Sequence, residues 1–337
     1  MKKIINKYIS CISEKNFIET IEIYTKKLNE NIILSLNIEI INEGKLNNTK
    51  FINKKLKNIK GLEYIVSLDI IINTKNLVNL NFINRINFPN VSMLCFTLKY
   101  PYMTHFNLSY INDMKLTKFT IISDISEYHD KYSYEKNMLN FSNLKYKNNS
   151  YFMNISKLKI DCLEELVLKT INKSNTKHMN IILPHNRLKK LKTLVLINSN
   201  IINKNFININ NTIENFVYRS SNKISNNIVD EILNLHKLKF LSISIMKKSK
   251  KYKNIMDLSH LKFLKFIIIH DPEKIFSKYI NIYRLNNTIE NIYTEINSEI
   301  SIEIRENIEY IKNVNINKTV DLQIESKNLI IDNLKIV

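Results

Sequence analysis

The chain has 337 residues, of which 44% are hydrophobic, and a formal net charge of +19. It contains only 2 Gly and 4 Pro and no Trp. A phosphate-cradling loop is excluded, because it needs several glycines to bring backbone N–H groups close to a phosphate. The charge alone does not define a nucleic-acid-binding protein, since an AT-rich genome encodes Ile, Asn and Lys in excess and the lysines are scattered along the chain.

The cysteines and the apolar runs bear on the cellular compartment. Cys11, Cys95 and Cys162 form no C-x-x-C pair, and a sparse, odd set argues for a reducing compartment and against a disulfide framework or a zinc site. The N-terminal apolar run is broken at Asn6 and Lys7 before it reaches signal-peptide length. No apolar run approaches the roughly 18–20 residues that span a bilayer. We therefore expect a cytoplasmic protein with no signal peptide and no membrane span.

The apolar residues of 1–50 recur with a different spacing from those in the rest of the chain. Four residues that follow the N-cap candidate Ser13 fall on one helical face: Phe17, Ile21, Tyr24 and Leu28. We interpret 1–50 as a helical N-terminal cap with a degenerate first repeat at 33–41. A repeat array needs such a cap, because its first unit would otherwise expose an apolar face and an unpaired strand edge.

Residues 51–337 carry an apolar-x-x-apolar-x-apolar step that recurs every 20 to 28 residues. This spacing is typical of a leucine-rich repeat. The residues that open the short strand of each unit are Leu68, Leu94, Phe119, Leu144, Leu166, Leu194, Phe216, Leu241, Leu264, Ile292, Val314 and Leu334. The nearly identical stretches 210–216 and 286–292 lie three repeat lengths apart, which indicates common ancestry of the repeats. The sequence therefore predicts one solenoid of about twelve units.

The segments that return the chain from one strand to the next show mixed signals. Ser225 precedes an apolar helical face, and Asp271-Pro272-Glu273 places an N-cap acid and a first-turn proline ahead of a face that includes Tyr283. Other return segments are short and rich in Asn. We predict a mixture of helices and loops on this side of the solenoid.

The repeat steps resemble the leucine-rich repeat family over about residues 56–337. The clearest copies are Leu188-x-x-Leu191-x-x-Leu194-x-Leu196, Leu235-x-x-Leu238-x-x-Leu241-x-Ile243 and Leu258-x-x-Leu261-x-x-Leu264-x-Phe266. The resemblance implies an α/β solenoid with parallel strands on a concave face and mixed helices and loops on a convex face. The family's ladder asparagine is present in three of eleven copies, so the resemblance implies an irregular horseshoe or arc.

A narrower resemblance rests on composition and repeat style. Divergent repeats in an Ile-, Asn- and Lys-rich chain without a secretion signal are similar to the multicopy leucine-rich repeat proteins of insect poxviruses, the entomopoxviruses. This resemblance implies a viral protein that acts in the host-cell cytoplasm.

Enzymatic signatures are weak. The seven histidines show no paired spacing for a metal, and Cys162 has no evident base or oxyanion site nearby. We expect Cys162 to be a structural thiol. The sequence thus predicts a protein that is not an enzyme, with no catalytic residue, no metal and no cofactor.

The strand faces offer a candidate binding surface. Side chains alternate along a strand, so residues that flank the core leucines line the opposite face. Aromatic residues and Arg are enriched at binding hot spots. The predicted partner-binding residues are Phe240, Phe263, Tyr293, Arg219, Lys265 and Lys169. We therefore predict a non-enzymatic scaffold that binds a protein partner through the concave face, and a host factor if the chain is viral.

The alternative function is the binding of a polyanion or nucleic acid through the lysine-rich surface. The densest basic run follows the strand at Leu241 and consists of Lys247, Lys248, Lys250, Lys251 and Lys253. This run is a solvated loop in the first hypothesis and a phosphate-binding patch in the second. A steep fall of affinity with salt distinguishes the second hypothesis.

The last repeat step, Leu334-x-Ile336, has no capping segment after it. We expect this strand either to pair edge-to-edge with another copy of the chain or to be protected by its polar residues, Asp332, Asn333 and Lys335.

Overall fold

The computed structural model describes residues 3–11, 13–41, 49–73, 80–99, 108–124, 151–155, 158–171, 179–183, 188–201, 212–219, 226–244, 255–270, 281–295, 300–304, 308–316, 318, 320–326 and 329–336. The chain divides into two compact units, Met1–Lys190 and Leu191–Val337. Both units are α/β, with parallel strands dominating and few helices. Within the described ranges, no helix has the length and apolar character needed to cross a membrane.

The first unit, Met1–Lys190, is built on a parallel sheet. Its strands are β1 (Lys3–Cys11), β2 (Ile32–Ile41), β3 (Ile65–Asn73), β4 (Met93–Leu98), β5 (Lys118–Asp124), β6 (Tyr151–Asn154), β7 (Glu165–Ile171) and β8 (Met179–Ile182). Its helices are α1 (Glu14–Thr25), α2 (Thr49–Leu56) and two short 3-10 helices, Leu62–Tyr64 and Leu108–Ile111. The sheet order is β1, β2, β3, β4, β5, β7, and β6 pairs in parallel with β8.

The predicted strand-opening residues of this unit align across the sheet. Leu68 pairs with Leu94, Leu94 with Phe119, and Phe119 with Leu166. All four are essentially fully buried, and the residues between them point to the opposite face because side chains alternate. These four strand assignments are confirmed, whereas Leu144 lies outside the described residues.

The beginning of the chain contains one strand more than the predicted helical cap with a degenerate first repeat. The predicted helix is α1, and the Ser13 hydroxyl oxygen accepts a hydrogen bond from the Asn16 backbone N–H at 3.2 Å. Its buried face consists of Phe17, Ile18, Ile21 and Thr25. However, residues 3–11 form β1, the first strand of the sheet, and the predicted degenerate repeat at 33–41 is β2. The apolar alternation in β1 is a weak sequence signal, since among the side chains described at 3–10 only Ile9 is fully buried.

Gly61 precedes the 3-10 helix Leu62–Tyr64 with a φ of 90°, and a Cβ there would lie 2.8 Å from the Thr25 carbonyl oxygen. We expect Gly61→Ala to lower the free energy of unfolding by about 2 kcal/mol, because it adds left-handed strain and a backbone clash. Urea unfolding measures the change. The control Lys60→Ala alters an exposed neighbour and should cost less than about 0.5 kcal/mol; equal stability of both variants would refute the backbone argument.

The second unit, Leu191–Val337, contains two parallel sheets. Its main sheet has the order β9 (Thr193–Ile197), β11 (Asn215–Arg219), β12 (Phe240–Ser244), β14 (Phe266–His270), β16 (Asn291–Glu295), β18 (Tyr310–Ile316) and β20 (Ile330–Ile336). The return sheet has the order β13 (Ile255–Asp257), β15 (Asn281–Leu285), β17 (Ile300–Ile304) and β19 (Val320–Ile324). The remaining elements are β10 (Ser199–Ile201) and α3 (Asn226–Ile232).

The return sheet was not predicted. The helix expected after Ser225 is present as α3, but the described return segments after it form strands. Tyr283, which the sequence placed on a helix, lies in β15 and is fully buried. Residues 271–280 lie outside the described part. Return segments of this unit are therefore stabilised by backbone pairing with the equivalent segment of the next repeat.

The pairing of β14 with its neighbours corrects the predicted position of the strand in one repeat. Leu241 aligns with Ile267, and Ile267 aligns with Ile292. Ile267 therefore opens this unit, and Leu264 lies three residues earlier, buried in the preceding turn. The two repeat spacings become 26 and 25 residues instead of 23 and 28. Four buried residues recur here at three-residue spacing, so the apolar pattern does not identify which one opens the strand: Leu258, Leu261, Leu264 and Ile267.

The other predicted strand-opening residues of this unit lie in strands. Leu194, Phe216, Ile292 and Val314 are essentially fully buried. Leu334 is in β20 but 56% exposed, because among the described strands β20 pairs only with β18. The Tyr310 hydroxyl donates a hydrogen bond to the Asp332 carboxylate, and the Asn333 Nδ2 donates to the Asn313 Oδ1, so two of the predicted protective residues are engaged. Edge-to-edge self-association of β20 stays a prediction.

Candidate functional site

Three aromatic rings form a row on the outer face of the main sheet in the second unit, the side opposite the buried leucines. They are Phe240 on β12, Phe266 on β14 and Tyr293 on β16, and each is half-buried. The Phe240 and Phe266 ring centroids are 5.0 Å apart. The Phe266 and Tyr293 centroids are 5.1 Å apart, with planes inclined by 7°. We call these three residues the aromatic row.

The strand register positions the aromatic row. Phe240 pairs directly with Phe266, while Tyr293 pairs with Ile268, two residues further along β14. The neighbouring residues Leu241 and Ile267 point the other way and are fully buried. Each ring is thus directly next to a residue that is buried in the core: Leu241, Ile267 or Ile292. Such anchoring fixes the rings before any partner arrives, which reduces the entropy cost of binding.

A polar cluster formed by residues of β11, β12, β14 and β16 borders the aromatic row. The Arg219 Nε donates to the Ser242 Oγ at 3.1 Å, and the Arg219 Nη1 lies 3.8 Å from Glu295 Oε2. The same oxygen is 3.2 Å from His270 Nδ1. Ser242 is only 1% exposed although it lies on the outer face. The Arg219 side chain therefore lies across β12 and meets a carboxylate from β16.

An asparagine ladder borders the aromatic row on the other side. Asn291, Asn313 and Asn333 occupy equivalent positions of β16, β18 and β20. The Asn313 Nδ2 donates to the Asn291 Oδ1 at 2.6 Å, and the Asn333 Nδ2 donates to the Asn313 Oδ1 at 3.1 Å. Such ladders stabilise parallel, in-register strands. The outer face thus has an apolar centre between two polar borders.

The predicted binding residues are only partly brought together. Phe240, Tyr293 and Arg219 lie on this outer face. Phe263 and Lys265 do not, because the corrected register places them in the turn before β14; Phe263 is 57% exposed, and the Lys265 Nζ lies 2.6 Å from Glu290 Oε1. Lys169 lies on β7 in the first unit. The predicted basic patch, Lys247, Lys248, Lys250, Lys251 and Lys253, falls in the segment 245–254, outside the described residues.

The sequence prediction missed several residues of this face. They are the β14 residues Phe266, Ile268 and His270, which the register predicted from Leu264 placed on the core side. The run of three isoleucines at 267–269 is a strand signal, because β-branched side chains favour strands. Placing the strand on that run would have identified Phe266 as an outer-face residue.

The equivalent face of the first unit carries Asp69 and Cys95 at paired positions of β3 and β4. Burial raises the pKa of Cys95 to about 12, and the charge and hydrogen bond of Asp69 act in the same direction. Burial also raises the pKa of Asp69. Because the thiolate is the reactive form of cysteine, Cys95 is a poor nucleophile at neutral pH.

We expect Cys95 to be alkylated by iodoacetamide in the folded protein about a thousandfold more slowly than in the denatured protein at pH 8. The pKa rises from 9.0 to about 12, and each unit lowers the thiolate fraction tenfold at a pH below both values. Asp69→Asn should speed the reaction, while Asp113→Asn, an exposed acid of the same unit, should not. Mass spectrometry of the labelled peptide gives the rates, and equal rates in folded and denatured protein would show that Cys95 is not protected.

An open groove of about 780 Å³ lies elsewhere on the first unit. Its lining includes Arg85, Lys115, Asp113 and Asp161, so charges of both signs are present. The Cys162 Sγ donates to the Leu116 carbonyl oxygen at 3.2 Å, as expected of a structural thiol. Within the described ranges, no three His, Cys, Asp or Glu side chains gather as metal ligands do.

Among the described residues, the outer face of the second unit is thus a surface where apolar and charged side chains converge. Its rings are half-exposed and their backbone is fixed by the sheet. A scan against protein-family models finds no family that matches the chain, and a search of curated proteins finds no match.

Proposed function

We propose that the protein is a non-enzymatic scaffold of the leucine-rich repeat type that binds a protein partner through the outer face of its second unit. The observation that supports this proposal is the aromatic row, in which three half-exposed rings from three adjacent strands contact one another with ring centroids 5.0 and 5.1 Å apart. Aromatic residues carry much of the binding energy in protein interfaces.

The surroundings of the aromatic row support a protein partner. Protein interfaces have an apolar core rich in aromatic residues and Arg, enclosed by a polar rim. Here Arg219 and Glu295 form one border, and the asparagine ladder forms the other. A partner that fits presents apolar side chains to the rings and hydrogen-bonding groups to both borders.

The proposed setting is the cytoplasm, and the host-cell cytoplasm if the chain is viral. Cys95 and Cys162 are free thiols, which suits a reducing compartment. In that setting the proposed partner of a viral scaffold is a host factor.

Affinity capture from a nuclease-treated lysate of the expressing cells tests the proposal. The tagged protein is compared with the row variant Phe240→Ala/Phe266→Ala/Tyr293→Ala. The matched control is Met93→Ala/Thr120→Ala/Val167→Ala, which truncates three outer-face residues of the first unit. We expect a partner protein to be recovered with the wild type and the control and lost with the row variant.

The captured protein is then purified and its direct binding measured with the same three proteins. Circular dichroism establishes that the row variant is folded. Recovery of the same proteins with the row variant, or of nucleic acid alone, would contradict the proposal.

A further inference from the structure

A basic patch with an exposed phenylalanine lies on the turns that precede β12 and β14. The backbone N–H groups of Lys265 and Phe266 donate to the Lys239 carbonyl oxygen at 3.0 and 3.1 Å, so the two turns stack in register. The equivalent pairs are His236 with Lys262, Lys237 with Phe263, and Lys239 with Lys265. We call these six residues the turn patch.

The turn patch is exposed and positively charged. All six side chains are exposed, and Phe263 keeps 57% of its surface in contact with solvent. Lys239 pairs with Glu214 at 2.9 Å and Lys265 with Glu290 at 2.6 Å. In the described parts of the chain, Lys237 and Lys262 have no carboxylate partner at ion-pair distance. The two turns that carry Phe263, Lys237 and Lys262 therefore offer two ammonium groups to an anion.

The pKa of the neighbouring carboxyl group, Glu214, also reflects the positive charge of this region. The pKa of Glu214 is held below its ordinary value. The largest cause is the hydrogen bond from Lys239, and the positive charges of Lys239, Lys192 and Lys237 act in the same direction. Phe263 is an exposed aromatic ring within this region, and the corrected register removes it from the outer face. Neither the core nor the aromatic row uses it.

We propose that the turn patch binds a single-stranded polynucleotide, with Lys237 and Lys262 on phosphates and Phe263 stacked on an unpaired base. Proteins that bind single strands combine a basic track with aromatic rings on which bases stack. Neighbouring strands of a parallel sheet are about 4.8 Å apart. The turns that carry Lys237 and Phe263 are therefore adjacent. The chain's net charge of +19 favours encounter with a polyanion. This surface is separate from the aromatic row, and the inference does not depend on the proposed protein partner.

Fluorescence anisotropy with labelled single-stranded DNA and RNA of about 12 nucleotides, a typical site size, tests the proposal on the full chain. We expect single strands to bind better than a duplex of equal length, because paired bases cannot stack on Phe263. Phe263→Ala should weaken binding about tenfold without changing the salt dependence, as loss of one stacked base predicts. Lys237→Gln/Lys262→Gln should reduce the slope of log K against log salt by about 1.4, since each single-strand phosphate contact contributes about 0.7.

The matched control is Lys54→Gln/Lys57→Gln, which removes the same charge from exposed positions in the first unit. It should bind as the wild type does, and so should the row variant. An equal loss in the control, an unchanged affinity of Phe263→Ala, equal binding of duplex, or binding of poly-glutamate in preference to the oligonucleotides would each overturn the proposal.

Discussion

Ile267→Ala should lower the free energy of unfolding by about 2–5 kcal/mol, the usual cost of truncating a buried isoleucine. Ile267 is fully buried, aligned between Leu241 and Ile292. The adjacent Ile268 is half-buried on the outer face, and Ile268→Ala should cost less than about 1.5 kcal/mol. The two variants differ by one residue in position and remove the same atoms, so the difference measures the strand register.

Urea unfolding followed by circular dichroism gives both values. In the register predicted from the leucine pattern, Leu264 opens the strand and Ile268 points into the core. That register predicts the larger loss for Ile268→Ala. A reversed order of the two variants would therefore show that β14 does not pair as described and would remove Phe266 from the aromatic row.

Phe266→Ala should weaken binding of the captured partner by at least about 2 kcal/mol, or roughly thirtyfold, which is the threshold for a hot spot. Phe266 is the central ring and contacts both Phe240 and Tyr293, so its loss also loosens the other two. Phe263→Ala is the matched control, because it removes the same side chain three residues away in the turn. It should change the affinity less than about twofold.

Isothermal titration calorimetry with the purified partner measures these affinities. Because Phe266 and Tyr293 stack, the effects of their single substitutions should not add, and a double-mutant cycle should give a coupling of about 0.5–1.5 kcal/mol. A larger loss in Phe263→Ala than in Phe266→Ala would move the protein-binding site from the outer face to the turns.

The spacing of apolar residues predicted the positions of most strands in the main sheets, because every repeat must bury side chains at the same few positions. Leu68, Leu94, Phe119 and Leu166 could be assigned from sequence for this reason. The error at Leu264 arose where leucines recur every three residues, so that several registers bury equally apolar residues. There the backbone pairing with β12 decides the register.

Strand β1 and the return strands have weaker sequence signals. Strand β1 has few buried residues, and the return strands such as β15 and β17 are five residues long, too short for a clear alternation. They form because the neighbouring repeat supplies backbone partners. The parallel pairing of such short segments is a tertiary effect that local propensity does not contain.

Alternation of side chains correctly placed three of the predicted binding residues, Phe240, Tyr293 and Arg219, on the outer face. It could not predict the contacts from Arg219 to Ser242 and Glu295. Those contacts depend on the rotamer of a long side chain that crosses intervening strands. A sequence indicates which residues face outward, but the neighbours they reach follow only from the register of several strands.

Site-specific photo-crosslinking tests the central claim most directly. Benzoylphenylalanine is placed at position 266 in one protein and at position 263 in another, and both are irradiated in nuclease-treated lysate before mass spectrometry. The account predicts a protein adduct from position 266 and none of that protein from position 263. A protein adduct from position 263 alone, or no protein adduct from position 266, would contradict a partner-binding outer face.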